Sequence, residues 1–223
     1  MFKLFAGESA VGVRAPVVKV FKADLEGLAE AAATIANGGI VCYPTDTLYG
    51  LGCDPLNTQA VRRTMDAKGA RSKPMPILVK DLATAEKFAY VSDKARRLAQ
   101  AFWPGPLTII LQAREVLPTS LISQGKVGIR SPKHQICLKL LGLCSGQLVG
   151  TSANLTGRPP ATTAKEALNQ LGDHVDLILD DGRVSLGVAS TVIDLTKPRL
   201  KVLREGPLGR EEMVNVLRSR KPR

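Results

Sequence analysis

Two short segments of this chain carry side chains that bind oxyanions. Lys68 and Arg71, followed by Ser72 and Lys73, sit at the exit of an expected helix, where they could neutralise a polyphosphate or equally form a solvated basic loop. Thr151-Ser152-Ala153-Asn154 runs into Thr156-Gly157-Arg158-Pro159-Pro160 and offers hydroxyls, an amide and backbone N–H groups suited to a phosphate or carboxylate. An Asn-stabilised turn would use the same residues. Other chemistries are excluded by residue type. The two histidines, His134 and His174, lie in neither a His-Glu-x-x-His nor a triad-like setting, and no P-loop is present. Gly50-Leu51-Gly52 lacks the third glycine of a dinucleotide fingerprint. Cys42, Cys53, Cys137 and Cys144 form no Cys-x-x-Cys pair, so they read as core filler, and no metal site is expected.

Charge fits either an anionic partner or a solvated basic surface. Lys and Arg number 31 against 20 Asp and Glu, a net charge of +11 that suggests a nucleotide, RNA or membrane surface. Arg218, Arg220, Lys221 and Arg223 supply four of these charges in a basic tail, residues 218–223, leaving +7 on the body. With 44% apolar and 23% charged residues over 223 positions, the chain reads as globular, with one domain over 1–223 and a core at about 24–208. No apolar run approaches the ~20 residues that span a bilayer, and the first residues lack the apolar core of a signal peptide. A soluble protein of the reducing cytoplasm is the expectation.

The elements that must carry these segments alternate between strand-like runs and helical periodicity, which predicts an α/β class. Helices are expected at 25–35, 59–67, 82–89, 93–102, 136–143, 163–171 and 210–217. Strands are expected at 40–43, 75–79, 107–111, 127–130, 147–150, 177–179, 191–195 and 200–204. Stretches rich in Gly, Pro, Ser and Thr interrupt them at 44–52, 68–76, 103–108, 150–160 and 187–191, where a site would be built.

Taken in order, six segments resemble the signature of the YrdC/Sua5/TsaC family, the L-threonylcarbamoyladenylate synthases. They are Tyr43-Pro44-Thr45-Asp46-Thr47-Leu48-Tyr49-Gly50-Leu51-Gly52, Lys68-Gly69-Ala70-Arg71, Trp103-Pro104-Gly105-Pro106-Leu107-Thr108, Val127-Gly128-Ile129-Arg130-Ser131-Pro132, Thr151-Ser152-Ala153-Asn154 and Ser190-Thr191-Val192-Ile193-Asp194-Leu195. The resemblance implies a YrdC-like twisted, mostly parallel α/β sheet with flanking helices and a basic concave surface. It also implies an ATP-dependent nucleotidyltransferase joining L-threonine, bicarbonate and ATP into threonylcarbamoyl-AMP and pyrophosphate, the first step toward the t6A nucleoside of tRNA. By position, Lys68 and Arg71 would be catalytic and would bind ATP with Ser152, Asn154 and Arg204, while Thr45, Arg130 and Ser190 would bind threonine. The arginine stands three residues after the lysine where the family spaces them by two. Mg2+ would be carried on the phosphates. A TsaD/Kae1-type threonylcarbamoyl transferase is the expected protein partner, tRNA or double-stranded RNA is a candidate partner, and no membrane is involved. The length resembles the single-domain form of the family.

Two alternatives stay open. A YrdC-like RNA-binding or ribosome-associated protein without synthase activity would explain the charge and the altered Lys-x-x-Arg spacing. The YrdC-like module of hydrogenase maturation proteins is a third reading, lowered by the absence of zinc-finger Cys pairs and of an acylphosphatase segment.

Overall fold

A computed structural model describes residues 18–69 and 74–219. Among them twelve strands and seven helices follow in the order β1 (Lys19–Lys22), α1 (Leu25–Ala36), β2 (Val41–Tyr43), β3 (Gly50–Gly52), α2 (Thr58–Ala67), β4 (Ile77–Val79), α3 (Leu82–Phe88), β5 (Ala89–Tyr90), α4 (Asp93–Phe102), β6 (Leu107–Ala113), β7 (Lys126–Arg130), α5 (Gln135–Leu143), β8 (Gln147–Val149), β9 (Thr151–Ser152), α6 (Ala164–Leu171), β10 (Leu177–Asp180), β11 (Thr191–Asp194), β12 (Lys201–Arg204) and α7 (Arg210–Arg218). The α/β class read from the sequence is the class the chain adopts. Side chains placed one residue before the helix start α1 to α4: Asp24, Asn57, Asp81 and Ser92 each accept a hydrogen bond from the backbone N–H three residues on.

The strands divide into two sheets. Five run in the order β1-β10-β2-β3-β9, and seven include the path β12-β11-β6-β7-β4-β8 with β5 paired to β6. Pairing is mixed. β1–β10, β10–β2, β11–β6 and β4–β7 are parallel, joined by helical crossovers or long loops, whereas the hairpins β2–β3, β6–β7 and β11–β12 and the pairs β3–β9, β4–β8 and β5–β6 are antiparallel.

The sheets meet along a seam formed by β8 and β9, which are one continuous run. At Gly150 the chain leaves the seven-stranded sheet and enters the five-stranded one, its N–H donating to the Pro76 carbonyl at 2.8 Å. A Cβ there would stand 2.3 Å from Leu78 Cγ, so the crossing requires glycine. β3 approaches the same seam closely: the Val149 N–H donates to Cys53 O at 2.9 Å and the Tyr43 hydroxyl to Val149 O at 2.7 Å. Apolar side chains of the α2, α3, α4 and α7 region pack on the seven-stranded sheet, and those of α1, α5 and α6 pack on the five-stranded one.

A Cβ on Gly52 would sit 1.8 Å from the Val149 carbonyl oxygen, a backbone atom that cannot step aside. Gly52→Ala is therefore expected to cost about 3 kcal/mol, read as a lowered denaturation midpoint. A midpoint matching the parent chain would mean the seam can spread.

Candidate active site

One cavity of about 580 Å3 opens at the seam, within the ~300–1,000 Å3 usual for small-ligand pockets. Its floor is the face of the seven-stranded sheet, where the two-residue strand period turns Lys126, Gly128 and Arg130 of β7 toward it, beside Thr108 and Ile110 of β6 and Val192 and Asp194 of β11. The loop between β2 and β3 contributes Thr45, Thr47 and Leu48 to the wall, and Ser152, Ser190 and Arg204 complete it.

Five residues singled out from the sequence thus face one space: Thr45, Arg130, Ser152, Ser190 and Arg204. Arg130 is buried at 6% exposure, and its guanidinium is held by three acceptors from two segments. Nε donates to Gly105 O at 2.9 Å, Nη1 to Thr47 Oγ1 at 2.8 Å, and Nη2 to Asp46 Oδ1. Burial pulls the guanidinium below its ordinary value and the Asp46 charge opposes this. It remains a cation. The Thr45 hydroxyl donates to Leu48 O at 2.6 Å and accepts from the Thr47 and Leu48 N–H groups, closing the turn that presents Asp46 and Thr47. Ser190 Oγ lies 2.8 Å from Thr108 Oγ1 and accepts from Arg204 Nη2 at 3.1 Å, while Arg204 Nε donates to Ser190 O. Arg204 is also lowered, by burial first and by the charge of Arg130 second, so the two guanidiniums act on each other near the same cavity.

Lys68 and Asn154 come together behind Ser152. Residues 61, 64 and 67 form the buried face of α2, and Lys68, capping the helix, falls on that face at 2% exposure. Its ammonium donates to Ser152 O at 2.5 Å, Asn154 O at 2.6 Å and Asn154 Oδ1 at 2.9 Å. Ser152 Oγ donates to the same Oδ1 at 2.6 Å, and Asn154 Nδ2 donates to Leu155 O and Arg158 O. Here, therefore, the lysine amine is bound to the chain segment expected to hold phosphate. Arg71 and its neighbours Ser72 and Lys73 lie outside the described residues.

Sequence reasoning passed over Asp46, Thr108, Lys126 and Asp194. Lys126 Nζ donates to Asp194 Oδ2 at 2.9 Å across β6, and Asp194 Oδ1 accepts from Thr196 N and Oγ1. Asp194, the one carboxylate among the described residues of the cavity wall, is thereby already engaged, and with Arg130 paired to Asp46 the positive charge of the cavity comes from Arg204. Asp46 carried a signal that could have been used, a lone acid between two threonines in a Pro-led loop.

His134 stands beside this region, with Nε2 3.6 Å from Asp181 Oδ2, while its Nδ1 and Asp46 Oδ2 are buried without hydrogen-bond partners. Burial pushes the imidazole below its ordinary 6.5, against the pull of Asp181 and Asp46.

Two outcomes follow for stability. Lys68→Met keeps the apolar stem but takes a cationic donor from three oxygens, one of which, Asn154 O, has no other donor among the described residues, and is expected to cost about 3 kcal/mol in chemical denaturation; a cost under about 0.5 kcal/mol would mean that the loop holds itself. For His134, the folded state favours the neutral ring, so its contribution is complete above 6.5 and is lost as pH falls through the lower folded value. The melting temperature of the parent is expected to fall more steeply than that of His134→Gln as pH drops from 6.5 to that lower value; parallel curves would refute it.

A model of the Sua5/YciO/YrdC family, described as telomere recombination, matches residues 33–206. A threonylcarbamoyl-AMP synthase of Pyrococcus abyssi is 39% identical over 191 residues, covering 84% of this chain and 56% of that protein. One of Idiomarina loihiensis is 38% identical over 159 residues, covering 68% of this chain and 84% of that protein. The crystal structure of P. abyssi Sua5 complexed with L-threonine aligns with a TM-score of 0.84 at 35% identity, covering 90% of this chain and 60% of that one. The chain belongs to the Sua5/YciO/YrdC family.

Proposed function

We propose that this chain makes threonylcarbamoyl-AMP and pyrophosphate from L-threonine, bicarbonate and ATP, as an ATP-dependent nucleotidyltransferase serving tRNA t6A modification. The observation that carries this reading is the convergence of Thr45, Arg130, Ser190, Arg204 and Ser152 on one electropositive cavity large enough for an amino acid and a nucleotide.

The threonine carboxylate would take the N–H groups that Arg130 has left, and the Ser190–Thr108 hydroxyl pair would meet the polar part of its side chain. Bicarbonate takes up a proton and loses water to give CO2, the neutral amine adds to it and gives up a proton to form a carbamate, and a carbamate oxygen attacks the α-phosphorus. A new P–O bond forms as the bond to pyrophosphate breaks and its electron pair leaves with pyrophosphate. Negative charge developing there is met by Arg204, by the Ser152 segment that Lys68 holds in place and, in this reading, by Arg71. Arg204 is assigned to ATP. Among the described residues, the only carboxylate on the cavity wall is consumed by Lys126 and Thr196, so that donor set offers no seat for a resident cation. Magnesium enters as part of the nucleotide substrate. A wall that keeps water from the labile carbamate is part of the role.

No helix among the described residues is long and apolar enough to cross a membrane. We place the reaction in the cytoplasm, where a TsaD/Kae1-type transferase would receive the product and pass it to tRNA.

The test is pyrophosphate release from ATP with threonine or bicarbonate singly omitted. Release is expected to require both, and Arg204→Ala is expected to raise the ATP KM about tenfold, the equivalent of ~1.4 kcal/mol. Release without threonine, or ATP binding without any release, would overturn the assignment, the latter in favour of an RNA-binding role.

A further inference from the structure

We infer that Asp46 is the positioning residue of the carboxylate subsite, fixing the plane and the charge of Arg130 so that this guanidinium takes an amino-acid carboxylate and refuses phosphate. The inference rests on the threonine-binding role given to Arg130 above. Asp46 is itself buried, at 4% exposure, and does not line the cavity, whereas Arg130 does, so whatever Asp46 does to a ligand it does through the arginine.

Orientation is the first part of the argument. An arginine has five N–H donors, and three different nitrogens of Arg130 are pinned by Gly105, Thr47 and Asp46. All three are charge-assisted, and the Asp46 bond, ionised on both sides, is the strongest of them. Two N–H groups remain for a ligand, in a plane the protein has already set.

Charge is the second. The Asp46 side chain bonds Arg130 through Oδ1, and its Oδ2 is buried with no hydrogen-bond partner. An asparagine carbonyl would supply the same acceptor without the cost of a half-satisfied buried carboxylate. What only the carboxylate supplies is the negative charge. It leaves Arg130 a neutral pair, so an entering anion gains by geometry more than by net attraction. That matters in a cavity where a triphosphate and a carboxylate must each find their own place, since a bare buried guanidinium would accept either.

The two parts separate experimentally. Asp46→Asn keeps the acceptor and removes the charge; Asp46→Glu keeps the charge and displaces it by one methylene. In the pyrophosphate-release assay, Asp46→Asn is expected to raise the threonine KM about tenfold while kcat at saturating threonine stays within about threefold. Inorganic phosphate is expected to compete with threonine about tenfold more strongly in this variant. Asp46→Glu is expected to raise the threonine KM without the gain in phosphate inhibition. In an Arg130→Lys background, Asp46→Asn is expected to add little further change, because its effect passes through the arginine. A threonine KM that is unshifted in both Asp46 variants, or equal losses on the threonine and ATP sides, would overturn the role. Wild-type release that does not need threonine would overturn the synthase reading itself, a failure visible before any variant is assayed.

Discussion

A guanidinium taken almost wholly out of water dominates the architecture of this molecule. Leaving such a charge unpaired in the interior costs several kcal/mol at least, so the chain must deliver acceptors to it from wherever they can be found. Those of Arg130 come from the β2–β3 loop, 83 and 84 residues away in sequence, and from Gly105, 25 residues away. β2–β3 belongs to one sheet and β7 to the other, so this single side chain ties the two sheets together. The cavity opens beside that tie.

A second buried cation is treated differently. The Lys68 ammonium binds main-chain oxygens of Ser152 and Asn154, tying the end of α2 to the segment that follows the sheet crossing. Arg130 keeps donors turned toward the cavity, whereas Lys68 spends its own on shaping a loop. Lys68 and the Ser152–Asn154 segment therefore have a structural coupling besides any chemical one. A side chain that holds the loop and is held by it cannot be altered without altering both.

All seven helices were legible because each carries an apolar face of 3.6-residue period and most carry a capping side chain; α4 has the bounds read from sequence, Asp93–Phe102. Four strands were not. β5 and β9 have two residues each, too short for any period, and β3 is Gly-Leu-Gly, whose glycines read as loop when the reason for them is the near approach of Tyr43 and Val149. β1, with lysines at both ends, exposes most of its length and owes its form to pairing with β10. The site divides on the same line. Thr45, Arg130, Ser190 and Arg204 stood out in local motifs, whereas Asp46, Thr108 and Asp194 matter through partners 68 to 84 residues distant, which no local pattern records. Mixed strand pairing escaped for that reason too: a strand's sequence does not say which way its neighbour runs.

β1 and β12 are the outermost strands of their sheets among the described residues, while the inner edges, β8 and β9, are one continuous chain. An outer strand of this kind could recruit a strand from another copy and grow into an aggregate. Both are short and fenced by basic side chains, Lys19 and Lys22 on one, Lys201 and Arg204 on the other. Part of the net charge of +11 thus serves colloidal ends: two copies meeting edge to edge would bring like charges together, and the sheets stop growing where the protein does.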